Sequence, residues 1–217
     1  MIADYPALLE DPSLPEVVSN LQKQLKTERQ LRLKFYEEIT PDMKAEFING
    51  QVIMHSPATA IHTMIRMRVT NLLNNYVDTR GLGMVFDEKT LCTFPRNDYE
   101  PDVVFFGSKK SATIRPDTMQ FPPPDFACEV LSPSTASRDR GVKFRDYQAH
   151  GVQEYWIIDP TTKTLEQYVL TKSKSYELRL KSRTGEVECV AIKGLVLPIR
   201  ALFDAKHHRT AMRGMLG

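Results

Sequence analysis

Asp102, Glu129 and Lys143 are the side chains whose types and positions could do chemistry together. Asp102 follows Pro101 and opens the short apolar run Val103-Val104-Phe105-Phe106. Glu129 lies inside Phe126-Ala127-Cys128-Glu129-Val130-Leu131, which reads as a buried strand. A carboxylate inside an apolar strand costs several kcal/mol unless it is paired or binds a cation. Two carboxylates on adjacent strands can converge on one hard divalent ion, and Mg²⁺ takes one or two protein carboxylates while keeping water elsewhere. Such an ion stabilises charge on a scissile phosphate and lowers the pKa of a coordinated water. Lys143, on the helix expected next, would bring an ammonium to orient that water or stabilise the transition state.

Each residue also has a plainer reading. An Asp after Pro serves as a turn or cap residue, a strand Glu pairs with a buried Arg, and helix lysines are usually solvated. Residue type alone leaves both sets open. His62, beside Ile61 at a helix start, is either a partly buried, hydrogen-bonded histidine or a support for the acids or a phosphate contact. Tyr147 is expected to pack its ring and offer its hydroxyl near the site, whereas Asp159 before Pro160 reads as a strand-ending turn. Arg66, Arg68 and Arg145 are basic residues that could hold a phosphate backbone, and Lys109 and Lys110 are a loop pair, but such charges are usually solvated faces. Arg138 and Arg140 lie near Lys143 in sequence and are candidate phosphate contacts, which would make binding salt-dependent. No zinc finger, basic zipper or recognition-helix signature is present.

The elements that must hold these side chains follow from the residue pattern. Met1 to Pro15 reads as a loose leader, and Glu16 to Glu38, without Gly or Pro, as a helical arm. Val18, Leu21 and Leu25 keep helical spacing, but the heptad fails at Glu28 and Arg32, so a long coiled coil is not expected. Asn49-Gly50 between two apolar runs predicts a hairpin. Ile61 through Tyr76 repeats as an amphipathic helix ending before Gly81. Strands are expected at Met84–Phe94, Val103–Phe106, Phe126–Leu131 and Tyr155–Ile158. A loop is expected at Arg115–Pro124, a helix at Ser134–Ala149, and a meander through Thr164–Leu170, Tyr176–Leu180 and Val187–Ile192.

A chain of 217 residues fits one domain with additions. With 41% hydrophobic and 26% charged residues it reads as globular, which argues against extensive disorder. A net charge of +2 neither demands nor excludes nucleic acid. Cys92, Cys128 and Cys189 have no metal-binding spacing and read as small buried hydrophobes in strands. No apolar run approaches a membrane span, so no membrane partner is expected, and a cytoplasmic location is.

Several stretches stand together: Glu46-Phe47-Ile48-Asn49-Gly50-Gln51-Val52, Ser56-Pro57 with His62, Pro101-Asp102-Val103-Val104, Cys128-Glu129-Val130-Leu131-Ser132-Pro133-Ser134, Lys143 with Tyr147, and Gly151 through Pro160. In combination they resemble the Uma2 family of the PD-(D/E)XK nuclease superfamily. The resemblance runs from Pro41 to Phe203. It implies an α/β (α+β) chain with a restriction-endonuclease-like core, a central mixed β-sheet flanked by helices, plus the N-terminal helical arm. Residues 1–40 would be leader and arm, 41–205 the core and 206–217 a tail. It also implies Mg²⁺ or Mn²⁺ bound by Asp102 and Glu129, with Glu46 as an extra acid. The motif's Lys belongs two residues after Glu129, where Leu131 stands. Lys143 matches a relocated Lys on a helix face shared with Asp139 and Tyr147. The implied activity is metal-dependent endonucleolytic cleavage of DNA by a homodimer, with the arm as a dimer element. The displaced Lys and the absence of a strong basic surface leave two rivals: a nuclease-fold module that binds without cutting, and a metal-dependent hydrolase of another phosphate ester.

Overall fold

The computed structural model describes residues 5–216. The N-terminal segment is more ordered than a leader. Helix α1 (Tyr5–Glu10) is followed by a turn in which the Asp11 carboxylate accepts from the amide and hydroxyl of Ser13 at 2.8 and 2.7 Å. Helix α2 (Leu14–Glu38) then starts with Pro15 in its first turn, where a missing N–H costs nothing. Residues 1–4 of the expected leader lie outside the described residues. Only the second half of α2 meets the body. Phe35 packs on Phe47, Glu28 pairs with Arg96, and Arg32 forks onto the Asp98 carboxylate, which Tyr36 also reaches at 2.9 Å.

Strands β1 (Ala45–Ile48) and β2 (Gln51–Met54) form the expected hairpin. Asn49 and Gly50 have φ of 50° and 83°, the left-handed pair that a two-residue turn needs. Helix α3 (Ala60–Arg80) buries Ile65, Val69, Leu72, Leu73 and Val77 and ends on left-handed Gly81, as its periodicity predicts.

The expected strand Met84–Phe94 is two strands, β3 (Gly83–Asp87) and β4 (Leu91–Thr93), in different sheets. The break falls at Glu88 and Lys89, whose φ values of 34° and 49° turn the chain out of the first sheet. Next come β5 (Asp98–Tyr99), β6 (Val103–Gly107), a short α4 (Ser108–Ser111), and β7 (Gln120–Phe121) inside the stretch expected as loop. Then follow β8 (Phe126–Val130), α5 (Ala136–Arg138), one turn of π-helix (Asp139–Lys143) and α6 (Phe144–Ala149). The chain continues through β9 (Glu154–Asp159), β10 (Thr164–Leu170), β11 (Tyr176–Ser182), β12 (Glu186–Glu188), β13 (Val196–Pro198), α7 (Arg200–Phe203) and α8 (Ala205–Leu216).

The mixed α/β architecture is as expected, but its sheet is divided. A six-stranded sheet runs β11-β10-β9-β8-β6-β3, and a five-stranded sheet runs β2-β1-β5-β4-β7. In the larger sheet β8 and β9 are parallel, and the helical segment 136–149 is their crossover. The expected meander holds for its first two strands, β10 and β11, which pair antiparallel beside β9. The expected third strand shortens to β12, which leaves the sheet to pair with β13. Cys189 therefore lies just past a strand, although all three cysteines are buried as expected.

Alternation along the strands sorts two cores onto the two faces of the larger sheet. Val103, Phe105, Phe126, Cys128, Trp156 and Ile158 face α3 and the C-terminal elements. Val104, Phe106, Ala127, Tyr155 and Ile157 face Tyr147 and the smaller sheet. Residues 206–216, expected as a tail, lie in α8, whose Ala211, Met212 and Met215 pack on the first core. Among the described residues no helix is long and apolar enough to cross a membrane.

A Cβ on Gly50 would stand 2.9 Å from Cγ of Glu28, in a backbone conformation that L side chains resist. Gly50→Ala is expected to lower stability by about 1–2 kcal/mol, read as a lower urea midpoint with an unchanged slope.

Candidate active site

Register arithmetic brings the first two residues together. Strands β6 and β8 run antiparallel with Val103 opposite Cys128 and Val104 opposite Ala127. Continued by one residue, the same register sets Asp102 opposite Glu129. By alternation both point to the face of Val104 and Ala127, toward the smaller sheet. The join is bonded: the Val130 amide donates to Asp102 Oδ2 at 2.8 Å.

Glu46 comes from the other sheet. It is the second residue of β1, and its Oε1 accepts from the Glu100 amide at 3.0 Å, where the chain crosses from β5 to β6. Lys143 ends the π-turn, a distortion that recurs at functional sites. Its Nζ lies 2.7 Å from Glu46 Oε1, 2.9 Å from Glu129 Oε1 and 3.4 Å from Asp139 Oδ1. Tyr147, one turn on, donates to Glu129 Oε1 at 3.1 Å, and its ring packs between Phe94, Tyr99 and Tyr155. His62 sets Nε2 3.1 Å from Asp102 Oδ2, so the histidine is both partly buried and a support for the acid.

Burial and charge set the protonation of the group. Burial alone would lower the Lys143 pKa, but Glu129, Glu46 and Asp139 outweigh it and hold the ammonium well above the ordinary lysine value. Burial would raise Glu46, yet Lys143 and His55 bring it down to about 2. Glu129 goes the other way: burial, with Asp139, Asp102 and Glu46 nearby, lifts it well above the usual range against the pull of Lys143. Asp102 is lowered in spite of burial by His62, Lys44 and the Val130 amide.

A cleft of about 320 Å³ opens over these residues. Asp102, Glu129, Lys143, Glu100, Lys44, His55, His62 and Arg138 line it, with Ser132, Ser134 and Thr135 on the loop after β8. Arg140 is not brought there. Its guanidinium is bidentate on Glu166 of β10, at 2.6 and 3.0 Å, because the two arginines leave the helical segment in different directions. Arg66, read as solvated, is buried against Glu88 at 2.5 Å, and Asp159 caps its own turn through Thr161 and Thr162.

Four residues of the site carry signals that sequence reasoning passed over. Lys44 and His55 flank the hairpin, where the His55 amide donates to the Lys44 carbonyl at 3.0 Å. Extending the Asn-Gly register past both strand ends would have found them. His55 Nε2 is 3.2 Å from Glu46 Oε2, out of line for a hydrogen bond, and Lys44 Nζ is 3.6 Å from Asp102 Oδ1. Asp139 shared the Lys143 face but received no role. Glu100 precedes Pro101 and is buried with Oε2 unpartnered.

The donor set suits a hard divalent cation. Asp102 and Glu129 offer carboxylate oxygens to one cleft, and Oε2 of Glu46 and of Glu100 are buried without a hydrogen-bond partner. Among the described residues no three His, Cys, Asp or Glu side chains are gathered as a ready-made metal cage. An ion held by two carboxylates and water needs no such cage.

Burial, with Glu46 adding to it against Lys44, pushes Glu100 up to about 7. Its folded pKa exceeds the unfolded carboxylate value, so the folded state loses stability as pH rises from about 4.5 through 7. In EDTA, Glu100→Gln is expected to match wild type near pH 4 and to exceed it by about 1–3 kcal/mol at pH 8. Chemical denaturation at both pH values checks this, and a difference independent of pH would contradict it.

The Uma2 family, described as "Putative restriction endonuclease", matches residues 29–200. Two uncharacterized proteins of Synechocystis sp. are each 28% identical, over 148 and 151 residues; these spans are 67% and 64% of this chain and 83% and 77% of theirs. A crystal structure of a "putative nuclease belonging to DUF820" from Anabaena variabilis superimposes with a TM-score of 0.67 at 22% identity, over 78% of this chain and 94% of that one. That likeness establishes the nuclease-like fold. The family match covers most of the chain's length, and the chain belongs to the Uma2 family.

Proposed function

We propose that this protein is a Mg²⁺-dependent endonuclease that hydrolyses phosphodiester bonds in DNA. The observation that carries the reading is the pairing of Asp102 and Glu129 across β6 and β8 on the floor of an open cleft, with a buried ammonium against Glu129. Asp102 and Glu129 would hold the ion. When bound, a divalent ion there supplies charge stabilisation for a phosphate and a more acidic water. The remaining work falls to the chain. His62 and the Val130 amide fix the Asp102 carboxylate. Lys143, with Tyr147, fixes Glu129 and puts one positive charge beside it in a low-dielectric setting. Arg138 and Lys44 line the cleft and are suited to phosphate oxygens. Arg140, committed to Glu166, is not part of this proposal.

A second reading, a nuclease-fold module that binds without cutting, draws on the three carboxylates that already occupy the Lys143 ammonium. Plasmid and single-stranded DNA incubated with Mg²⁺ or Mn²⁺ separate the two. Wild type is expected to cleave, and Asp102→Ala and Glu129→Ala to lose about a hundredfold or more. Cleavage that survives in both variants overturns the endonuclease reading. Mn²⁺ titration calorimetry with no heat of binding does the same and favours the module.

A further inference from the structure

Helix α2 has one seam in two environments. Leu14, Val18, Leu21, Leu25, Glu28, Arg32 and Phe35 follow one another at alternating steps of four and three residues, a heptad stripe on one face. Its C-terminal part is used within the subunit: Glu28 on Arg96, Arg32 on Asp98, Phe35 in the core. Its N-terminal part is apolar and uncovered, with Val18, Leu21 and Leu25 41, 49 and 47% exposed. Nearly every residue from Pro15 to Thr27 is exposed, so this stretch projects from the body with only the short α1 against it. A helix of that length is marginal in water by itself. The family match begins at residue 29, so the projecting stretch is an addition to the family's core.

We infer that the projecting half of α2 pairs antiparallel with the same segment of a second copy of this chain. Two features select that occupant. The first is the layer arithmetic: with the twofold axis between Ser19 and Asn20, Leu14 faces Leu25 and Val18 faces Leu21, so every seam position meets an apolar partner. The flanking positions Pro15, Val17, Gln22 and Gln24 carry no charge to oppose it. The second is charge. Residues 5–22 hold Glu10, Asp11 and Glu16 and no Lys or Arg, whereas Lys23, Lys26 and Arg29 follow, together with Glu28, whose charge is taken up by Arg96. Antiparallel copies set acidic end against basic end, and parallel copies would set like against like. The seam spans only about 16 Å, so the dimer is reversible and concentration-dependent rather than obligate. None of this depends on the nuclease reading.

Sedimentation over a roughly hundredfold concentration range tests it. The mass is expected to rise from one chain toward two, and the double variant Leu21→Glu, Leu25→Glu to stay monomeric, at least about tenfold weaker in association. The thermal midpoint reports that this variant is folded, since neither side chain belongs to the buried core. Orientation is read by oxidative cross-linking, for which the native cysteines, all buried, are silent. Val18→Cys mixed with Leu21→Cys is expected to cross-link, and neither alone. A monomer at every concentration, a dimer indifferent to the double variant, or Val18→Cys cross-linking to itself each overturns the inference.

Discussion

The ammonium of Lys143 is where three elements of different origin meet. Glu46 reaches it from the smaller sheet, Glu129 from the larger sheet, and Asp139 from the first residue of its own π-turn. An ion so buried loses its hydration, and only close, opposite charges replace it. Glu46 in turn accepts from the Glu100 amide at the crossing between sheets, and Glu129 sits opposite Asp102 at the end of that crossing. The two sheets and the crossover helix therefore cannot shift independently without stranding a charge. Removing one partner from such a set costs about 3–5 kcal/mol, so this cluster fixes the geometry of the cleft as well as its electrostatics.

The same cluster bears on chemistry through competition. Lys143 stabilises the ionised form of both glutamates, but burial and neighbouring acids resolve them differently: Glu46 is pulled down and Glu129 pushed up. Glu46 behaves as the permanent counter-ion. Glu129, which lines the cleft, is the acid with the most to gain from further positive charge. Asp102 is already stabilised by His62, Lys44 and an amide. The pair thus consists of one prepared carboxylate and one in want of a cation.

Much of this was legible because strand parity and turn chemistry are local. Asn49-Gly50 fixed a hairpin, Gly81 a helix end, and the short apolar run around Glu129 a buried strand. What stayed hidden was set by long-range pairing. Met84–Phe94 reads as one strand because nothing in its composition marks Glu88 and Lys89 as a left-handed break; the second sheet supplies the reason. Arg140 sits three residues from Lys143, a spacing that shares a face in an α-helix, yet serves Glu166, because both lie in the π-turn, whose wider winding separates them. Heptad failure at Glu28 and Arg32 looked like the end of a seam. It is where the seam changes partner, from open solvent to Arg96 and Asp98 of the same chain.

Burial of a strand carboxylate was the signal that singled out Glu129, and Glu154 tests how far that signal reaches. Glu154 is as buried and lies in the adjacent strand β9. It accepts from Trp156 Nε1 at 2.6 Å, Gln167 Nε2 at 2.7 Å, the Val190 and Ala191 amides at 2.6 and 2.8 Å, and Cys189 Sγ at 3.1 Å. Neutral donors alone satisfy it, and they fasten the segment after β12 to the sheet. It stands on the opposite face from the cleft, with Trp156 and Ile158. Burial therefore nominates carboxylates without distinguishing a clamp from a site. The distinction comes from what completes the shell: closed backbone and side-chain donors for Glu154, but for Glu129 a lysine, a tyrosine and an opening to solvent shared with Asp102.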